Sequence, residues 1–522
     1  MRNHSIIGAG ILLATLAAFP QRTVAQAVAI PQIEELSIAD LATALTDKRL
    51  TCRQVVELYI RRIDTYDKNG PSINSIVLIN PRARAVADSL DGVLMRGGAR
   101  GPLHCIPIVV KDNFETVDMS TTAGSLSLAG YMAAKDAFQV KRVRDAGAVI
   151  LAKSNMAEFA FSPYETVSSI LPGYSKNPYA LDRVTAGSSG GTAAAVAASF
   201  AAVGLGSDTG NSIRGPSAHQ ALVGIRSTMG LTSRGGVVPL FMGADVAGPM
   251  ARSVADAVAI FQVIVGEDSD DSVTARSRGR PVPNYSQALD ANGLRGARIG
   301  VLRQAYESPT TDAEVVQLFQ RALDDLRKQG ATIIDSAIVP ELDSLRRQQT
   351  GACNTFKYDL NGFLAARGDR VPVKTVDDVL RSRRFHPSIE KRLETAQAVE
   401  GTPDENPGCK SRDVFRAGLR DAVTRMFDRL RLDAVVYPSW SNPPRLIGDL
   451  NTPHGDNNQL FSPSTGFPAI TVPMGYLRGG VLPSGLQFFG RAWSEPTLIK
   501  LAYAYEQATH HRRPPTSTPP LR

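Results

Sequence analysis

Ile106-Pro-Ile-Val-Val-Lys-Asp112, Val140-Lys-Arg-Val-Arg-Asp-Ala146 and Val149-Ile-Leu-Ala152 follow one another along the chain and decide its class. The first is an apolar run that stops at a charged pair, the pattern of a buried strand; the second reads as helix and the third as strand again. The alternation resumes farther on. Arg298 to Leu302 predicts a strand, and Asp312 caps a helix with Val315, Leu318, Phe319, Ala322 and Leu326 on one face. Ala331 to Ile334 then predicts another strand. Strands that alternate with helices specify an α/β protein with a largely parallel sheet. Upstream, Ser37 to Asp67 predicts two amphipathic helices, with Leu41, Leu45, Val55, Val56, Leu58 and Ile63 near helical spacing. Glu267 to Pro283 and Glu400 to Arg412 are polar, rich in turn-forming residues, and predict surface loops. The segment 510–522, with Pro514, Pro515, Pro519 and Pro520, predicts a flexible, extended tail.

The composition agrees with a large soluble core. The 522 residues carry 58 Lys plus Arg against 50 Asp plus Glu, and 43% are hydrophobic. That balance excludes disordered, collagen-like and small disulfide-scaffold classes. The net charge of +8 is not gathered into basic runs, which argues against a nucleic-acid partner. Cys52, Cys105, Cys353 and Cys409 lie far apart without a C-x-x-C pair, and the histidines form no H-E-x-x-H pattern. No metal site is therefore expected. Whether the four cysteines pair is left open; Cys105 and Cys353 would serve equally as buried thiols.

Residues 1–27 read as an address rather than fold. Arg2 precedes an apolar run from Ile6 to Phe19, then Pro20 and Ala25-Gln26-Ala27. This is the pattern of a secretory signal peptide cleaved after Ala27, and its core falls short of the ~20 residues that span a bilayer. The expected organisation is thus a leader over 1–27, one domain over 28–509 and the tail over 510–522, in a periplasmic or secreted protein.

The stretch that carries chemistry runs Ala186-Gly-Ser-Ser-Gly-Gly-Thr192, through an alanine-rich run, to Gly206-Ser-Asp-Thr-Gly-Asn-Ser-Ile213. Asp208 is its only charge. Thr192 to Ala201 predicts a closely packed buried helix, Val203 to Gly206 a short strand, and Ile213 the opening of a second helix. Ser188 and Ser189 then stand just before one helix and Ser212 just before the next. Helix starts offer free amide donors and positive partial charge, suited to holding a developing oxyanion. Glycines and serines at helix starts are equally common as caps and turns. A nucleophilic serine also needs a base. His219 reads as a helix-surface residue. Lys111, at the end of an apolar strand, is a candidate if burial lowers its pKa, or else an ordinary lysine paired with Asp112.

Taken together, the motifs resemble the amidase signature family. The resemblance is carried by Gly187-Ser-Ser-Gly-Gly-Thr192, Gly206-Ser-Asp-Thr-Gly-Asn-Ser-Ile-Arg-Gly-Pro-Ser217 and Gly101-Pro-Leu-His-Cys-Ile-Pro-Ile-Val-Val-Lys-Asp-Asn113. It continues through Ala152–Phe159, Gly224–Leu231, Phe467–Pro473 and Gly485–Arg491, and covers nearly all of the chain after Ser37. The resemblance implies a large mixed, mostly parallel twisted β-sheet covered by helices on both faces. It implies a Ser-cisSer-Lys triad with Ser212 as nucleophile, Ser188 as bridging serine on a cis peptide bond and Lys111 as base. The oxyanion hole would use the backbone N–H groups of Thr209, Gly210, Asn211 and Ser212, with Asp208 and Arg214 as an internal ion pair. No cofactor or metal is implied. The partner would be a small-molecule amide, with no nucleic acid and, after leader removal, no membrane; a homodimer is compatible with it. Two departures stand out. Asn211 replaces a frequent glycine and would tolerate left-handed backbone. Cys105 replaces a small residue and is expected to be packing, with a thiol near the site open to bulky thiol reagents.

The implied reaction is hydrolysis of an amide C–N bond through an acyl-enzyme, and the same triad can cleave esters. The nearest enzymatic rival is an α/β-hydrolase elbow, since Gly187-Ser-Ser-Gly-Gly191 also matches G-x-S-x-G with Ser189 as nucleophile. That fold needs a strand directly before the elbow, whereas Asn177 to Thr185 reads as polar and turn-like. A secreted binding protein of the same fold and the transamidating component of a tRNA-dependent amidotransferase are further rivals. Retention of all three triad residues opposes the former, and the leader opposes the latter. Thr121–Ser125, Phe159–Phe161, Tyr437–Trp440 and Asp456–Ser464 are candidate substrate-facing segments, suited to an apolar acyl or aryl group.

Overall fold

A computed structural model describes residues 1–2, 32–98 and 100–522. The expected leader therefore lies outside the described residues beyond its first two. Thirteen strands are found among them: β1 (Ile76–Ile79), β2 (Pro107–Lys111), β3 (Val149–Ser154), β4 (Lys176–Asn177), β5 (Ala180–Val184), β6 (Val203–Asp208), β7 (Val223–Arg226), β8 (Val246–Ala251), β9 (Arg298–Val301), β10 (Thr332–Ile334), β11 (Ala434–Pro438), β12 (Ala469–Leu477) and β13 (Leu482–Phe489). Eleven build one sheet in the order β1-β3-β2-β6-β8-β7-β12-β13-β11-β9-β10, and β4 with β5 forms a separate ribbon. Every residue of β2, β3, β6, β8, β11 and β13 is buried, so both faces of the sheet are covered.

The sheet is large and mixed, as expected, but its parallel share is smaller. Among the described strands only β2–β3, β2–β6, β9–β11 and β9–β10 pair in parallel. The centre, from β6 through β8, β7, β12 and β13 to β11, is antiparallel. The reason is connectivity. β12 turns into β13 through Arg478–Val481, too short for a parallel crossover, and the runs legible in the sequence are those flanked by helices.

Local chemistry sets the elements near the site. Ser37 and Thr51 each cap a helix through a reciprocal capping box, and the buried faces of those helices carry Leu41, Leu45, Val55 and Val56. The alanine-rich helix spans Gly190–Ala197 and all its residues are buried. It can lie close on β6 because β6 has glycines beneath it. A Cβ on Gly204 would stand 2.5 Å from Thr192 Cγ2, and one on Gly206 would stand 3.0 Å from Ser189 Oγ. Those two glycines bring the serines at the helix start down onto the sheet.

Other expectations change. The polar stretch Glu400–Arg412 is loop only as far as Asn406, which caps a helix running Pro407–Leu430, because proline is well accommodated at a first helical position. The tail is extended but not loose. Arg512 donates to Glu35 at 2.7 and 2.8 Å, and buried Arg62 donates to the carbonyls of Thr518 and Pro519. Glu35 and Arg62 lie too far away in the chain for local sequence to announce this. All four cysteines pair, Cys52 with Cys105 (Cα–Cα 5.4 Å) and Cys353 with Cys409 (4.6 Å), and no described cysteine is free. Cys105, expected as buried packing, is buried and paired with Cys52, so it offers no thiol to bulky reagents.

Candidate active site

Because β2 and β6 run in parallel, with Val110 opposite Leu205, their C-terminal ends bring Lys111 beside Ser207. Lys111 is fully buried. Its Nζ donates to Ser188 Oγ at 2.7 Å, to Ser207 Oγ at 2.9 Å and to the Ser207 carbonyl at 3.4 Å. Burial pushes the ammonium pKa down to about 7, against weaker opposing pulls from Asp245 and Asp208. Asp112 is not its partner. That carboxylate faces Lys153 on β3 at 3.9 Å and accepts from Thr122 and Gly124.

Ser188 follows a cis peptide bond from Gly187, and its carbonyl accepts from Ala157 N at 3.1 Å. Ser189 is the N-cap of the Gly190–Ala197 helix. Its hydroxyl donates to the Ser207 carbonyl at 3.1 Å and accepts from the Ser207 N–H at 3.3 Å, and its own N–H donates to the Ser212 carbonyl. Ser189 thus ties β6 to the serine segments, and no histidine among the described residues hydrogen-bonds to it. The strand before it does exist, as β5, contrary to the turn expected there, but β5 belongs to the outlying ribbon rather than the main sheet. His219 is buried rather than on a helix surface. It stacks on Trp440 with centroids 4.5 Å apart, meets the Asn442 carbonyl through Nε2, and burial lowers its pKa to about 4.

Beyond Asp208 the chain curls around that carboxylate. Asp208 Oδ2 accepts from the N–H groups of Ile213 (3.1 Å) and Arg214 (3.3 Å) and from Arg214 Nε (3.1 Å), and Oδ1 accepts from Arg226 Nη1 (2.9 Å). The Asp208, Arg214 and Arg226 side chains are all fully buried. Burial alone would raise the Asp208 pKa, but Arg214 and Arg226 outweigh it and hold it down to about 2. Removing either partner of such a buried pair costs about 3–5 kcal/mol, because the other charge stays buried. The curl leaves the N–H groups of Thr209, Gly210, Asn211 and Ser212 without an acceptor among the described residues. A run of unpaired amides of this kind is an anion-binding concavity. Asn211 takes no left-handed backbone, so the tolerance expected of asparagine is not called upon.

Ser212 is 5% exposed and lines a cleft of about 740 Å³ together with Thr209, Gly210 and Asn211. No described group hydrogen-bonds its Oγ, and the Ser188 and Ser212 hydroxyls are not hydrogen-bonded to each other. Unliganded sites often tighten such contacts only around substrate. Of the segments expected to face substrate, Phe161 and Asp456–Ser464 contribute to the cleft, whereas Thr121–Ser125 and Tyr437–Trp440 do not line it. Two residues were missed. Ser207 and Asn113, whose Nδ2 donates to Ser207 Oγ at 3.0 Å, hold the Lys111 amine in place. Ser207 lies within the Gly206–Ser217 motif, and the parallel register of β2 and β6 is the signal that points to it. Among the described residues no cluster of three or more His, Cys, Asp or Glu side chains is placed to hold a metal ion.

A family model described as Amidase matches residues 54–499. A probable amidase of Arabidopsis thaliana is 34% identical over 504 residues, covering 92% of each chain. A glutamyl-tRNA(Gln) amidotransferase component of Acinetobacter baumannii is 33% identical, covering 91% of this chain and 96% of its own. Among solved structures, the native peptide amidase from Stenotrophomonas maltophilia superposes with a TM-score of 0.83 at 36% identity, covering 92% of this chain and 98% of its own.

Proposed function

The chain belongs to the amidase signature family, and from that premise we propose that it is an exported hydrolase acting on linear amides through an acyl-enzyme on Ser212. Neutral Lys111 takes the Ser188 proton while Ser188 takes that of Ser212, whose oxygen attacks the amide carbon. The N–H groups of Thr209 to Ser212 hold the oxyanion. The C–N bond breaks as the nitrogen takes a proton back through the relay, and amine or ammonia leaves. Water then opens the ester to the carboxylic acid, returning Ser212 to its hydroxyl form. The observation that carries this reading is the buried 2.7 Å contact of Lys111 Nζ with Ser188 Oγ, with no carboxylate within 4.0 Å of the amine among the described residues and only the weaker pulls of Asp245 and Asp208 to keep it charged. Asp208 and Arg214 support the oxyanion loop.

A hydrolysis panel on the purified protein tests the activity: peptide amides, anilides, simple carboxamides, free glutamine and matched esters. Turnover of at least one amide class, with a fluorophosphonate labelling Ser212, is the expected result. Label on Ser189, or ammonia released from glutamine alone, would overturn it.

Export rests on the leader pattern and is consistent with two disulfides, which persist in oxidising compartments. Protein recovered from the periplasm or medium should begin at Val28 and show no thiol to Ellman's reagent in denaturant until a reductant is added. Recovery in the cytoplasm with the leader attached and free thiols would contradict export.

A further inference from the structure

The cleft over Ser212 does not match the apolar group that the sequence suggested. Phe161, Phe241 and Phe415 line it, but so do four arginines, Arg346, Arg392, Arg412 and Arg416, against one carboxylate, Asp456. The aromatic rings carry the cations rather than an apolar ligand. The Arg412 guanidinium lies 4.2 Å and that of Arg416 5.5 Å from the Phe241 centroid, while Arg392 lies 5.9 Å from that of Phe161.

These charges are poorly compensated. Of the four, Arg412 alone has a carboxylate within 4.0 Å among the described residues, the exposed Asp413 at 3.3 Å. Arg416 gives its hydrogen bonds to two carbonyls, those of Gly243 (2.6 Å) and Pro463 (3.1 Å). Burial, followed by Arg412, Arg226 and Arg420, pushes its pKa down to about 10. Arg412 and Arg416 also sit one turn apart on the Pro407–Leu430 helix, a like-charge spacing that opposes the helix. A pocket built this way is relieved when an anion enters.

A second, independent feature lies beside the nucleophile. The Asn211 side chain is 1% exposed and lines the same cleft, yet neither its Oδ1 nor its Nδ2 has a hydrogen-bond partner. A buried amide with both ends unpaired is rare and points to a ligand that supplies a donor and an acceptor together. A secondary amide adjoining the scissile carbonyl does this.

We propose that the preferred substrate is an amide carrying a carboxylate, of the acidic-peptide or N-acyl acidic amino acid kind, its anion met by Arg412 and Arg416 and its adjoining amide by Asn211. This deepens the amidase reading and rests on it.

The test uses a near-isosteric pair, N-acetylglutamyl and N-acetylglutaminyl p-nitroanilide, which set a side-chain carboxylate against a neutral carboxamide, with p-nitroaniline release as the readout. The acidic member is expected to show at least about tenfold higher kcat/KM at low ionic strength, with the ratio shrinking as salt screens the exposed part of the field. Arg416→Gln should bring the ratio toward one mainly through KM, and Arg412→Gln provides a second variant at a side chain that reaches solvent. An equal ratio, or preference for the neutral member, overturns the proposal. Calorimetric binding of the corresponding α-amides to Ser212→Ala reads charge selection without turnover. If the acidic member binds tighter there but neither anilide is cleaved by the unsubstituted enzyme, the chemistry fails and the charge preference stands. If it binds no tighter, the charge preference fails whatever the chemistry.

Discussion

Replacing Ser212 with alanine is expected to lower amide turnover on the order of 10⁶-fold, the loss seen when a hydrolase nucleophile is removed. The fold should not notice. Ser212 Oγ has no hydrogen-bond partner among the described residues and faces the cleft, so its removal orphans nothing. The change in stability should stay within the scatter of surface substitutions, about ±0.5 kcal/mol. Ser189→Ala should do the reverse. Its hydroxyl bridges the Ser207 carbonyl and N–H, and losing it leaves buried backbone groups short of a partner, worth about 1–3 kcal/mol. Its effect on turnover should be far smaller and indirect, through the Ser207 segment that also holds Lys111. Rates and denaturation midpoints for both variants separate the two serines. If Ser189→Ala is the inactive one and Ser212→Ala turns over normally, the nucleophile has been misassigned and the elbow reading returns.

The parts of this protein that could be read from sequence are those whose signal is local. The apolar run ending at Lys111, the Asp312 cap and the glycine-spaced serines all carry their reason within a few residues. What escaped depends on which distant segments meet. The antiparallel centre of the sheet follows from how β7, β8, β12 and β13 are joined, which no single strand reveals. Arg226 completes the cage around Asp208 because β7 lies near β6 across β8. Cys52 meets Cys105, and Arg62 meets the tail, across long stretches of chain. The charge of the cleft escaped for the same reason. Its arginines arrive from helices late in the chain: Arg392 lies over Phe161, one of the aromatic residues that suggested an apolar pocket, and Arg412 lies over Phe241, which local sequence did not connect with the site.

The lysine supplies the sharpest test, because one group predicts two pH dependences of different origin. With its amine pushed down to about 7, kcat/KM should climb through that region and level off above it, since the rate is proportional to the fraction of Lys111 that is neutral. A profile flat from pH 6 to 9 would remove Lys111 as the base. Lys111→Met keeps the shape of the stem, loses the lone pair, and should be inactive at every pH. Its stability should run the other way from its activity. Between about 7 and the ordinary 10.5, an unfolded lysine holds a proton that the folded one has released, so the stability of the unsubstituted enzyme rises with pH across that window. Below 7 both states are charged and the folded one carries a buried ammonium without a carboxylate partner. Lys111→Met is free of that burden. It should therefore be the more stable protein at pH 6, with its advantage shrinking by up to about 1.4 kcal/mol per pH unit above 7. Denaturant melts of both proteins at pH 6, 7.5 and 9 measure the gap. A gap that ignores pH would mean that residue 111 does not release its proton on folding, and a relay that begins with a neutral amine would have no source.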